Sequence, residues 1–155
     1  MKRTRTIRSY TMDIHGTPDD IFPLLCPVRE YEWIQPWQCE MVYTDSGIAE
    51  LDCVFKTIFP DDGPEDTWVV SRYEPPNRIE FVRINSLRSI RYSIELIQQK
   101  NGSTKANWKQ IITGLNSEGD NFVAGLTDKA YRGRMKTLNN MINHYLKTGE
   151  MLKIM

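Results

Sequence analysis

The last third of the chain carries the pattern that most limits the possible folds, a long helical repeat of apolar residues. Between residues 117 and 146 apolar side chains return every three or four positions, and charged or amide side chains fall between them. Ser117 and Asp120 have the spacing of a capping box, and Gly149 follows the repeat as a stop signal. A helix of roughly 30 residues spans ~45 Å, so a broad surface must cover its apolar face.

Most of the chain before residue 117 predicts β-strands, because polar and apolar side chains alternate there. Turn signals separate these segments, and Asn101-Gly102 is the strongest hairpin signal among them. One charged face on each strand is typical of an antiparallel sheet that is covered on one side. The predicted strands are residues 5–14, 39–44, 49–59, 66–73, 78–84, 88–99 and 104–113.

Two short helices are predicted between the first and second strands. Thr17 supplies a hydroxyl cap, Pro18 takes the first helical position, and two acidic residues follow in the first turn. The first helix continues to Leu25 with a kink at Pro23, and the second covers residues 28–34. This order predicts an α+β fold, in which the long helix lies across the concave face of a curved antiparallel sheet.

The composition argues against several classes of protein. Lys and Arg number 20, as do Asp and Glu, so the net charge gives no attraction to nucleic acid or to an anionic membrane. No apolar run approaches the ~18 residues that span a bilayer, and no signal peptide follows the basic N-terminus, so a cytoplasmic location is expected. The three cysteines lack CxxC spacing and the two histidines lie far apart in sequence, so neither a metal nor a cofactor is expected.

The element order and two short segments resemble the START-like superfamily, also called SRPBCC. The segments are Thr-Pro-Asp-Asp-Ile-Phe at residues 17–22 and Tyr-Glu-Pro-Pro-Asn-Arg-Ile at residues 73–79. This superfamily has the helix-grip fold and includes polyketide cyclases, plant pathogenesis-related proteins and lipid-transfer domains. The resemblance covers nearly the whole chain. It implies one domain, residues 1–155, with about seven strands gripping the helix and a cavity commonly used for a hydrophobic small molecule.

The alternation along the strands and the helix repeat predict which side chains face such a cavity. An apolar wall with a few hydrogen-bonding groups is typical of a small-molecule pocket, and the alternative is that these side chains fill the core. Glycines inside the helix, at 125 and 133, favour close packing or open space there. The candidate ligand-binding residues are Glu30, Trp33, Phe55, Thr57, Trp68, Tyr92, Trp108, Gln110, Phe122, Leu126 and Ala130.

An unusual aromatic segment, residues 26–37, joins the short helices to the second strand. In the helix-grip fold it is expected near the cavity mouth, where Glu30 would meet a cation or act as a base. The alternative is a hydrophobic plug with solvated charges.

Three functions are compatible with the sequence. The first is binding of a hydrophobic or aromatic small molecule, with Thr57, Tyr92 and Gln110 orienting it. The second is an enzyme of the cyclase or dehydratase type that uses Glu30, Tyr92 or Arg91. The sequence has no nucleophile elbow and no phosphate loop, which argues against a hydrolase or a kinase but not against this type of enzyme. The third is an interaction module, including a possible homodimer, whose apolar tail at residues 151–155 docks on a partner.

Overall fold

A computed structural model describes residues 2–153, which form seven β-strands and four α-helices. The strands are β1 (Arg5–Ile14), β2 (Cys39–Tyr43), β3 (Val54–Thr57), β4 (Asp66–Glu74), β5 (Arg78–Ile84), β6 (Arg88–Gln98) and β7 (Thr104–Gly114). The helices are α1 (Pro18–Ile21), α2 (Pro27–Glu30), α3 (Ser117–Ala124) and α4 (Asp128–Thr148), and a 3-10 helix at Phe22–Leu25 lies between α1 and α2.

All seven strands belong to one curved antiparallel sheet in the order β1-β7-β6-β5-β4-β3-β2. The strands that flank the short helices in the chain, β1 and β2, therefore form the two opposite edges of the sheet. The core lies between the concave face and α4, which contributes Met135, Met141 and Ile142 to it. This is the α+β helix-grip architecture that the sequence predicts.

The strand predicted over residues 49–59 is shorter than expected. Only Val54–Thr57 is strand, because Asp52 adopts a left-handed backbone conformation with φ of 68°. The N–H of Asp52 donates to the carbonyl of Val70, which turns the chain just before β3. Leu51, which lies within the predicted strand, is 54% exposed as a result.

The prediction of one continuous helix over residues 117–146 was wrong, because α3 and α4 are separated by residues 125–127. Thr127 begins a new helix there: its side chain accepts a hydrogen bond from the N–H of Ala130, and the acidic Asp128 follows in the first turn. The predicted capping box is also displaced, since the cap of α3 is Asn116, which accepts from the N–H of Gly119. Leu126 continues the apolar repeat across the break, so the sequence pattern gives no sign that the helix ends there.

The predicted start of α1 is confirmed. The side chain of Thr17 accepts from the N–H of Asp20, and the carboxylate of Asp20 accepts from the N–H of Thr17, so the two residues form a capping box. The second short helix is shorter than predicted and ends at Glu30. That end brings Glu30 to the space beneath α4.

The apolar tail is described only in part, since Ile154 and Met155 lie outside the described residues. Leu152 packs against the core, so part of the apolar surface of the tail is shielded from water. Self-association through the tail stays a prediction. Within residues 2–153 no helix is both long and apolar enough to cross a membrane.

Candidate functional site

A cavity of about 360 Å³ lies between the concave face of the sheet and α4. Its volume falls at the lower end of the ~300–1,000 Å³ typical of small-molecule pockets. The sheet supplies one wall, α4 supplies the other, and residues 34–37 close one side. The lining residues that remain exposed mark the opening, and they are Gln35, Pro36, Pro60, Asp61, Arg134 and Thr137.

The sheet wall is a row of packed aromatic rings. Phe55 and Trp68, cross-strand partners on β3 and β4, stack with ring centroids 5.2 Å apart. Phe81 meets Trp68 edge-on at 5.5 Å, and Tyr92 meets Trp108 in the same way at 5.7 Å. Such aromatic pairs add ~0.5–1.5 kcal/mol each beyond their buried area. Because each ring is held by the next, the wall is largely preformed.

Polar contacts fix two of these rings. The indole Nε1 of Trp68 donates to Oγ1 of Thr57 at 2.8 Å. The side chain of Gln110 hydrogen-bonds the hydroxyl of Tyr92, while burial raises the pKa of that hydroxyl far above its ordinary value. Tyr92 therefore stays neutral at physiological pH.

A buried ionic cluster lies behind the wall. The carboxylate of Asp66 accepts hydrogen bonds from both Arg83 and Arg88, and Arg88 is 0% exposed. Arg83 also donates to Asp62 at 2.8 Å, and its guanidinium lies 4.2 Å from the ring centroid of Trp68. Only Arg83 and Asp62 of this cluster line the cavity. Its charges are paired with one another, and the guanidinium of Arg83 helps to hold the ring of Trp68 in place.

Glu30 is a half-buried acid that belongs to the cavity lining. Among residues 2–153 no side chain or backbone group forms a hydrogen bond or ion pair with its carboxyl, and burial raises its pKa well above the ordinary value. Its residual accessible surface faces the cavity, since the residue belongs to the cavity lining. Glu30 shares the lining with Tyr92 and other rings of the aromatic wall. Such a group is suited to proton transfer or to pairing with a ligand.

The structure places six of the predicted residues in the cavity lining, and they are Glu30, Phe55, Trp68, Tyr92, Trp108 and Gln110. Thr57 lies behind the wall, where it holds Trp68. Trp33 is fully buried beneath the short helices and donates from Nε1 to the carbonyl of Leu24. Thr57 and Trp33 were both predicted to line the cavity, and neither does.

The three predicted helix positions are also outside the lining. Phe122 belongs to the separate helix α3 and packs near the guanidinium of Arg88, 5.9 Å from its ring centroid. Leu126 lies in the break, and Ala130 is exposed in the first turn of α4. The break changes the helical phase, so a different set of α4 residues faces the cavity, namely Arg134, Met135, Thr137, Leu138 and Met141.

Several lining residues were missed by sequence reasoning. Arg83 continues the inward alternation of Ile79 and Phe81 on β5, although an arginine at a strand position is more often exposed. Trp37 lies in the aromatic segment that the sequence singled out, and it lines the cavity beside Phe59 with centroids 5.6 Å apart. Arg91, named as a possible catalytic group, pairs with Glu80 on the outer face of the sheet. Of the proposed acid–base groups, Glu30 and Tyr92 alone face the cavity.

Cysteine and histidine side chains do not converge at this site. The three cysteines are free thiols. In the described part of the chain no three His, Cys, Asp or Glu side chains are grouped so as to hold a metal ion.

Solved structures share this architecture, whereas no protein-family model and no curated protein sequence matches the chain. Protein jhp0584 from Helicobacter pylori superposes with a TM-score of 0.73 at 12% identity, over 90% of this chain and 87% of that one. A point mutant of norcoclaurine synthase from Thalictrum flavum, in complex with a transition-state analogue, superposes with a TM-score of 0.64 at 10% identity. That match covers 94% of this chain and 99% of the synthase chain.

A third similar structure is DynU16, a protein of the dynemicin biosynthetic locus, with a TM-score of 0.59 at 13% identity. The match covers 93% of this chain and 48% of DynU16, so the chain spans about half the length of that protein. At these identities the comparisons establish the fold and leave the ligand to be argued from the site.

Proposed function

We propose, from the helix-grip fold that this chain shares with the START-like superfamily, that its cavity binds an apolar, aromatic small molecule. The observation that carries the proposal is the aromatic-walled cavity of about 360 Å³ beneath α4. Neighbours with this fold include a norcoclaurine synthase in complex with a transition-state analogue and a protein of the dynemicin biosynthetic locus, which supports a small-molecule ligand.

The rigid aromatic wall favours a planar ligand. Burial of apolar surface contributes ~25 cal/mol per Å². Rings such as Phe55 and Trp68 are already ordered by one another, so binding costs little side-chain entropy. A flat aromatic molecule is therefore the ligand shape that this wall suits best.

Binding of N-phenyl-1-naphthylamine, a neutral fluorescent aromatic, tests the proposal. We expect saturable binding with one site per chain. Leu138→Trp introduces an indole into the cavity from α4, and it should weaken binding by at least about tenfold, or ~1.4 kcal/mol.

The matched control is Asn140→Trp, which places the same indole on an exposed position of α4 outside the lining. It should leave binding unchanged. Wild-type protein that shows no saturable binding, or a Leu138→Trp variant that binds as well as Asn140→Trp, contradicts the proposal.

The second candidate function is acid–base catalysis in the same cavity, and the unpartnered carboxyl of Glu30 favours it. A carboxylate that is poorly solvated is a stronger base than one in water. Norcoclaurine synthase shows that an enzyme can be built on this fold.

A model proton abstraction tests this candidate without knowledge of the substrate. In 5-nitrobenzisoxazole a base removes the proton on carbon, the N–O bond breaks and a coloured cyanophenolate forms. We expect saturable elimination by the wild type that is lost in Glu30→Gln. Equal rates in the two proteins would exclude Glu30 as a base in this cavity.

A further inference from the structure

The charges around the cavity do not balance. Four acids belong to the lining or to the ionic cluster behind it, and they are Glu30, Asp61, Asp62 and Asp66. Three bases oppose them, and they are Arg83, Arg88 and Arg134. Each of these arginines is paired with Asp62 or Asp66. Every arginine of this set therefore already has a carboxylate partner, and the excess charge is acidic.

The excess charge has two possible locations, and they differ in environment. Asp61 is exposed at the opening, where water solvates it. Glu30 shares the lining with apolar residues such as Leu25 and Ile34, and its carboxyl forms no hydrogen bond or ion pair with a described residue. Burying an unpaired carboxyl is costly in either protonation state. A ligand group that pairs with Glu30 would remove this cost.

The ligand groups that suit Glu30 can be ranked. A neutral hydroxyl would satisfy one lone pair but would leave the charge excess. A protonated nitrogen would satisfy the carboxylate and neutralise the excess, and the ring faces of Tyr92 and its neighbours are attractive to a cation. We propose that the cavity binds an aromatic amine, whose nitrogen pairs with Glu30 while its rings lie against the wall. This inference rests on the proposed binding function and names its ligand class.

A proton linkage follows from this pairing. The bound cation favours the ionised form of Glu30, so an amine binds more tightly as pH rises through the raised pKa of this residue. Glu30 interacts electrostatically with Tyr92 and Cys39, and burial raises the pKa of each above its ordinary value, so neither titrates near neutral pH. The other charged groups of the lining are Asp61, Asp62, Arg83 and Arg134.

The test compares two ligands of similar shape, 2-(2-naphthyl)ethylamine and the neutral 2-propylnaphthalene. We expect wild-type protein to bind the amine at least about tenfold more tightly than the hydrocarbon at pH 7, a difference of ~1.4 kcal/mol. Glu30→Gln should lose this preference and keep its affinity for the hydrocarbon. Glu40→Gln, which removes the same charge from an exposed position on β2, should behave as wild type.

Each other outcome has one meaning. Binding of the hydrocarbon with no preference for the amine overturns this inference and leaves the proposed binding function standing. A preference that persists in Glu30→Gln assigns the cation to a different acid and also overturns it. No binding of either ligand overturns both proposals. Circular dichroism of the variants confirms that each is folded.

Discussion

Trp68 and Thr57 are joined by a buried hydrogen bond, in which the indole Nε1 donates to the threonine Oγ1 at 2.8 Å. The two residues lie on the adjacent strands β4 and β3 and are 7% and 3% exposed. The threonine therefore holds an aromatic ring of the cavity wall in place and does not itself line the cavity. The predicted role of Thr57 in orienting a ligand stays a prediction, and any such effect would act through Trp68.

Thr57→Val is predicted to destabilise the protein by ~1–3 kcal/mol, because the buried indole N–H loses its only acceptor while the shape of the side chain is kept. Urea denaturation followed by fluorescence measures the free energy of unfolding. The control is Thr67→Val at an exposed position of β4, where a small effect is expected. Equal stabilities for the two variants would show that the hydrogen bond contributes nothing.

Gly119→Ala is predicted to destabilise α3 strongly. A Cβ at this position would lie 1.7 Å from the carbonyl oxygen of Leu87, which is backbone and cannot rotate away. Gly133→Ala in α4 is the matched control: a Cβ there has no neighbour within 4 Å, so helix propensity alone should stabilise by up to ~1 kcal/mol. Thermal unfolding should therefore shift in opposite directions for the two variants.

Asp66→Asn is predicted to cost ~3–5 kcal/mol, because it leaves Arg83 and Arg88 buried without the carboxylate that both bind. The neighbouring Glu65→Gln breaks an exposed ion pair with Lys56 and should cost under ~1 kcal/mol. The free energy of unfolding distinguishes the two. An Asp66→Asn protein as stable as Glu65→Gln would mean that the cluster is solvated.

The sheet was predictable from sequence because side chains alternate with a fixed period of two. Both β1 and β5 have the predicted bounds, and the aromatic wall follows from the same alternation. The exception is the segment before β3, where the left-handed conformation of Asp52 has no strong signal in its residue type.

The helical side of the site was not predictable in the same way. A helix break costs little where Thr127 can cap a new helix, and Leu126 preserved the apolar spacing across it. Of the two alternatives for Gly133, close packing is excluded and open space fits, since a Cβ there would meet nothing within 4 Å. Close packing at Gly119 depends on the backbone of a distant loop, which sequence spacing does not reveal.

The charged part of the site depended on tertiary contacts. Arg83 occupies an inward position because Asp66 and Asp62 neutralise it there, and those partners are distant in sequence. Glu30 was identified as a candidate from its unusual segment, but the cavity that it lines is formed with strands and a helix that are distant in sequence. Residue type alone does not distinguish a buried carboxyl from a solvated one.

The raised pKa of Glu30 predicts how stability depends on pH. The folded state holds the proton more tightly than the unfolded state, so the stabilisation that this residue gives is complete below its unfolded pKa, ~4.3, and is lost as pH rises through the folded value. Glu30→Gln should remove this loss and be more stable than wild type above the folded pKa. Glu40→Gln, at an exposed site, should retain the wild-type dependence. Urea denaturation between pH 4 and 9 measures the three curves, and parallel curves for wild type and Glu30→Gln would mean that the carboxyl is solvated.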